Sequence, residues 1–343
     1  MSKPAILNDL TSTPKAGKAW TYRWCDFLEV RCLVHPDGRF SRDNFAEALG
    51  ESVEMAVDTA YGSDDVDDEG LIPLSPMADD DAPEIADDQR EAFSTRCFRQ
   101  LRWRATTFGA DWPFEIDPAG IELQLRKTPR NAHHWLYLQL LLSASLSYCP
   151  PKRRADLTSP FETLSFNVLK RLMPAGAEVH SFGAGKATRY TGHLYDRLVG
   201  LAKDLRGRLL LEREHFATQD AGDGGLDLVA WHGLGDGRDH IMAALAQCGC
   251  TTDGWPDKMQ EASPSRLGGH LAIASAWTTY YFMPLDLADE INGHMDWQRK
   301  SDMGTAIVID RLRFLRLADA DELLSKGLLE TALVQEATAL KVA

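Results

Sequence analysis

Apolar side chains recur at helical spacing between Thr158 and Met173, where Phe161, Leu164, Val168, Leu169 and Leu172 share one side. That period predicts an amphipathic helix, with Ser159 as its N-cap and Pro160 at its first position. A second leucine stripe (Leu194, Leu198, Leu201, Leu205, Leu209) predicts a longer helical stretch over Tyr190 to His215. Short apolar runs at Ala177–Phe182, Leu226–Trp231, Ile241–Cys248, Leu271–Met283 and Thr305–Ile309 predict strands. The run His232 to Asp239 is rich in Gly and Asp and predicts a hairpin turn. If that hairpin folds about Gly237, position 227 stands opposite position 247.

Upstream, Trp20 to Val34 predicts strands, His35-Pro-Asp-Gly38 a turn, and Ser41 to Asp58 a helix. Gln89–Leu101 predicts a helix, Ile121–Leu125 a strand, and the very apolar Trp135–Tyr148 another helix. Leu328–Leu340 predicts an amphipathic helix near the C-terminus. The expected fold class is therefore α/β. A mixed sheet flanked by helices would occupy residues 151–320, an additional α+β domain residues 1–150, and a C-terminal helix residues 321–343.

Charge changes this picture in one place. The 343 residues carry a formal net charge of −14, an awkward value for a partner of nucleic acid. Residues 63–91 hold twelve acids against Arg90 alone, which leaves −3 for everything else. With Pro73, Pro76 and Pro83 and few large apolar residues, that stretch reads as a solvated linker or loop. The alternative is a mimic of nucleic acid lying over a basic surface. Residues 151–214 carry twelve Lys or Arg against seven acids, and Arg96, Arg99, Arg102 and Arg104 cluster upstream. Phosphate contact is open to such surfaces, as is an ordinary solvated face. No apolar run approaches the roughly 18 residues of a membrane span, and no signal peptide is recognised, so a cytoplasmic location is expected. Six cysteines without framework spacing are expected as free thiols. Cys248 and Cys250, with His270 or His294, fall short of the paired spacing of a zinc site. Phe182-Gly-Ala-Gly185-Lys186 lacks the residues that would make it a phosphate-binding loop.

The chemistry concentrates between Asp227 and Lys258. Directly opposed residues on antiparallel strands have Cβ atoms roughly 4.5–5.5 Å apart, so Asp227 and Gln247 could face one small cation. Hard oxygen ligands suit magnesium, which accepts few protein ligands and keeps its waters. A lysine on the helix that follows, Lys258, would orient a water or steady a phosphate. Each residue also has a plain reading. Asp227 follows Gly224-Gly225-Leu226, where Asp serves turns, and Gln247 could be satisfied by backbone. Glu162 could serve a helix's first turn, stabilised by its dipole, and Lys258 could be solvated.

With Glu162 in Ser159-Pro-Phe-Glu162, Asp227 and Gln247, the segment from about 157 to 316 resembles the PD-(D/E)xK superfamily of restriction-endonuclease-like nucleases. The resemblance is to the branch with Gln in the second acidic position. In that family an early helix carries a Glu, one strand an Asp, and the next strand (Glu or Gln)-x-Lys. Gly249 stands where the lysine belongs; Lys258 matches members whose lysine has moved to the following helix. The resemblance implies a Mg²⁺ site (Mn²⁺ as substitute) formed by Glu162, Asp227 and the backbone carbonyl of Cys248. Gln247 would orient a ligand water and Lys258 the nucleophile. It further implies an endodeoxyribonuclease that hydrolyses phosphodiester bonds of DNA rather than RNA, in restriction or antiviral defence. Such a chain would act as a homo-oligomer or beside a separate ATPase or helicase, since it has no ATPase motif of its own. Gly249 keeps the alternative open: a catalytically inactive subunit that binds DNA or protein. A scaffold in which the hairpin is merely structural is the third reading.

Overall fold

A computed structural model describes residues 4–8, 10, 13–14, 20–49, 82–128, 130–183, 188–217 and 224–342. In chain order these form α1 (Thr21–Val34), β1 (Arg39–Ser41), α2 (42–49), α3 (Ala82–Phe108), β2 (Phe114–Ile116), β3 (Glu122–Leu125) and α4 (Ala132–Ala144). There follow α5 (Arg154–Leu172), β4 (Glu178–Ser181), α6 (Leu194–Asp204), β5 (Arg208–Leu209), β6 (Leu228–His232) and β7 (Met242–Cys248). The remainder is α7 (Trp255–Glu261), α8 (Pro264–Leu267), β8 (Leu271–Ala272), β9 (Thr278–Phe282), β10 (Ala288–Ile291), β11 (His294–Trp297), β12 (Ile307–Ile309), α9 (Arg311–Leu317), α10 (Ala320–Ser325) and α11 (Thr331–Thr338). No described helix is long and apolar enough to cross a membrane.

Two compact units emerge, and neither is continuous in sequence. The first comprises residues 1–154, 287–298 and 330–343; the second comprises 155–286 and 299–329. The sequence divides differently, at 150 and 320, because the hairpin β10–β11 and helix α11 pack with the N-terminal residues rather than with their neighbours in the chain.

The second unit is mixed α/β. Its five-stranded sheet has the order β12-β9-β7-β6-β4. Strands β4, β6 and β7 run antiparallel, whereas β9 and β12 lie parallel to β7 and to each other. Alternate side chains along a strand serve opposite faces. Val229, Trp231, Ala243 and Leu245 on one face join Leu194, Leu198, Leu201 and Leu205 of α6 in a single core. On the other, Phe282 packs against Phe314 of α9, which in turn packs against Phe161 of α5. The sheet is thus flanked by helices on both faces.

Helix α5 begins five residues earlier than Ser159, so Ser159 is not its cap and Pro160 lies inside it. Leu157, 1% exposed, extends the buried stripe back by a turn, and the Pro151–Arg153 3-10 turn leads into it. Tyr190–His215 is not one helix. It breaks after Asp204, where Arg206 adopts φ 57° and β5 begins two residues on. Leu271–Met283 likewise divides into β8 and β9.

The first unit is α+β. Its antiparallel sheet has the order β1-β3-β2 and accompanies α1, α3, α4 and α11. Trp20–Val34 is helix, not strand. Nearly all of α1 is buried, so its apolar residues surround the axis and no 3.6-residue stripe shows in the sequence. Asp26 and Glu29, one helical turn apart, are the polar exceptions, and both meet Arg104 of α3. Helix α3 starts at Ala82, so the end of the acidic stretch is helical rather than loop. Residues 63–81, and the 50–58 portion of the helix expected from Ser41, lie outside the described residues.

Candidate active site

The hairpin register matches the one read from its turn. Leu228 pairs with Ala246 and His232 with Met242; carried one step past the ladder, that register would set Asp227 against Gln247 at the open end. Arg206 holds the closed end: its guanidinium donates to the carbonyls of Gly233, Asp236 and Arg238. Asp227 sits just before β6 and remains tied to the ladder, its N–H donating to the Ala246 carbonyl at 3.1 Å. Its own carbonyl accepts from Phe182 N–H at 2.7 Å.

The two side chains do different things. Asp227 turns toward β7, and its Oδ2 accepts the Cys248 N–H at 2.8 Å. Its Oδ1 lies over Gly183, where an added Cβ would come within 3.2 Å of it. Gln247 is 6% exposed and donates Nε2–H to Oε2 of Glu261, at the end of α7, at 3.2 Å. Its Oε1 is buried with no hydrogen-bond partner. The Tyr281 hydroxyl, the Trp255 indole nitrogen and the Thr251 hydroxyl are buried and unpartnered in the same neighbourhood. Gln247 is the register partner of Tyr281, and the Tyr281 ring stacks on Trp255.

Glu162 and Lys258 are brought to this end of the sheet from opposite flanking layers. Both act electrostatically on the Cys250 thiol. Burial pushes that thiol up most, the Glu162 and Asp227 carboxylates add to the rise, and Lys258 opposes it. Cys248 is likewise pushed well up, by burial first and then by Asp227, while a hydrogen bond involving Ser165 works the other way. Neither thiol is thereby a nucleophile, since both are held protonated.

The position expected for a lysine, Gly249, has no room for one. A Cβ there would run into the Tyr281 hydroxyl. Sequence reasoning missed both Tyr281 and Glu261. A partial signal existed for Glu261, which stands three residues after Lys258 and so beside it on the helix surface. None existed for Tyr281, one aromatic among several in an apolar strand.

A magnesium ion asks little of a protein: one or two carboxylates, with waters and substrate phosphates completing its shell. The Asp227 carboxylate and the orphaned Gln247 Oε1 are donors of that kind and fit a weak site. Among the described residues no three His, Cys, Asp or Glu side chains gather closely enough to hold a metal. All six cysteines are free.

Much of the basic excess near this unit is already neutralised. Arg153 is buried and paired with Glu336, Arg189 with Asp204, Arg206 with Asp236, and Arg213 with Asp196. The Gly185-Lys186 loop falls outside the described residues. Compared with protein-family models, with curated proteins and with solved structures, the chain finds no match.

Proposed function

We propose that the second unit is a metal-dependent nuclease core acting on phosphodiester bonds of DNA. The observation that supports this most is that the Asp227 carboxylate is tied to the Cys248 N–H, next in the strand to Gln247, whose Oε1 is buried and without a partner. With α6–β5 and α8–β8 set aside as insertions, the order from α5 to β9 (helix, three antiparallel strands, helix, parallel strand) also suits a restriction-endonuclease-like core. A bound Mg²⁺ would neutralise charge on the phosphoryl group and lower the pKa of a water. Asp227 and Gln247 Oε1 would hold it, with the Cys248 carbonyl and Glu162, directly or through water, beside them. The Cys248 N–H fixes the Asp227 carboxylate at the end of β7. Lys258 would orient the attacking water against the phosphate. Because Gln adds no charge, substrate phosphate completes the site.

Expected outcome: with Mg²⁺ or Mn²⁺ the protein nicks plasmid DNA, and Asp227→Ala lowers the rate by about 10²–10³-fold. Equal rates for wild type, Asp227→Ala and Lys258→Ala would sink the assignment. A second reading, a DNA- or protein-binding subunit without cleavage, is favoured by one observation: the Tyr281 hydroxyl closes the place of the motif lysine at Gly249. Retention of DNA with no cleavage under any divalent ion would select it. A separate ATPase and a role in phage defence belong to the same proposal.

A further inference from the structure

Glu261 lies in a place that the chain makes specially for it. Its Cβ would stand 2.5 Å from a Cβ on Gly225, and Gly225 has φ +80°, so only glycine leaves room there. Gly225 is two residues before Asp227, so the carboxylate of Glu261 rests between the approach to Asp227 and the side chain of Gln247. Its Oε2 takes the Gln247 Nε2–H at 3.2 Å. In this contact the NH₂ end of the amide faces α7. The carbonyl oxygen therefore points away, and it is that atom, 6% exposed at the residue level, that has no partner.

We infer that Glu261 is a positioning residue: it locks the amide of Gln247 so that Oε1 is presented as a neutral oxygen ligand to a divalent cation. The inference rests on the nuclease reading above. It assigns the acid–amide pair a division of labour, with the charge on the helix and the ligand oxygen on the strand. Exchanging the two side chains should therefore be tolerated, whereas changing either one alone should not. Glu261→Gln lets the amide at 261 donate as well as accept, so the amide at 247 can turn its oxygen inward. Gln247→Glu places two carboxylates in hydrogen-bond contact, and they must share a proton.

The test is Mn²⁺ binding by calorimetry on the full chain, with thermal melts confirming that each variant folds. Glu261→Gln should weaken Mn²⁺ binding by about 10–100-fold, the usual effect of losing a residue that orients a metal ligand. The exchange Gln247→Glu with Glu261→Gln should bind at least as tightly as wild type. Wild-type affinity in Glu261→Gln, with binding lost in Asp227→Ala, overturns the positioning role and leaves the nuclease site standing. A folded exchange variant that does not bind also overturns it. If wild-type protein takes up no Mn²⁺, alone or with a DNA duplex, this inference falls together with the nuclease reading.

Discussion

Two buried polar clusters, one in each unit, are built on opposite plans. In the first unit Arg104 and Glu29 are fully buried, and each is met by partners from other elements. Arg104 donates to Asp26 at 2.8 Å and to Glu29 at 2.9 Å; Glu29 also accepts the Tyr137 hydroxyl at 2.7 Å and the Trp112 indole at 3.1 Å. In the second unit Gln247, Thr251, Trp255 and Tyr281 each leave a buried polar atom without a partner. Trp24, Ser94 and Gln139, among others in the first unit, also leave buried polar atoms without a partner, but none of these three belongs to the Arg104–Glu29 network. A saturated network specifies a core; an unsaturated one costs stability and is retained where a ligand or a reaction completes it.

The largest effect that would sharpen this contrast is at Glu29. Glu29→Ala leaves the Arg104 charge buried with Asp26 alone, and urea denaturation should show a loss of about 3–5 kcal/mol. A loss below about 1 kcal/mol would break the claim that this network is a stability element.

A third buried group lies between the two plans. The Asp310 carboxylate accepts the Arg313 N–H at 3.0 Å as a helix cap, yet its pKa is pushed up to about 7. Burial is the main cause and the Asp286 carboxylate the next, opposed by the Arg313 N–H and the charges of Arg313 and Arg311. Here the folded value exceeds the unfolded one. Below about pH 4 both states hold the proton and nothing is lost; between about pH 4 and 7 the unfolded chain ionises first, so stability falls as pH rises. Asp310→Asn, which still caps, should flatten that fall. Parallel stability–pH curves for the two proteins would contradict this.

A matched pair of hydroxyl deletions gives the most direct comparison. Tyr137→Phe removes bonds to a buried carboxylate and should cost about 1.5–3 kcal/mol. Tyr281→Phe removes an unpartnered hydroxyl, and should be neutral or stabilising by up to about 1 kcal/mol in thermal melts. If the two variants lost equal stability, the distinction between saturated and unsaturated clusters would not hold.

The parts of this architecture that were legible in the sequence are those set by local chemistry. The β6–β7 register from Leu228–Ala246 to His232–Met242 followed from the Gly- and Asp-rich turn. Helix α4 was expected over Trp135–Tyr148 but spans Ala132–Ala144, beginning earlier because Asn131 accepts the His134 N–H. Helix α1 was hidden because burial on every side erases periodicity, and its aromatic and β-branched residues resemble a strand. The β10–β11 hairpin was legible in principle, since Asn292-Gly293 takes φ 51° and 78° and has the sequence of a type I′ turn. No strand was expected there, because the apolar residues flanking it are few. Glu261 and Tyr281 were not legible as site residues. What brings them in is the parallel pairing of β7 with β9 and the room left by Gly225 and Gly249, long-range facts that no local pattern encodes.

The interrupted path of the chain bears on how the protein comes into being during synthesis. Domains usually fold in the order in which they leave the ribosome. Here residues 155–329 contain all of the second unit, while the first still needs 287–298 and the stretch beyond 330, whose Val342 N–H closes on the Val34 carbonyl. The half translated earliest is therefore the one that matures last, and a clone cut at residue 150 or 320 would deprive it of pieces encoded far downstream.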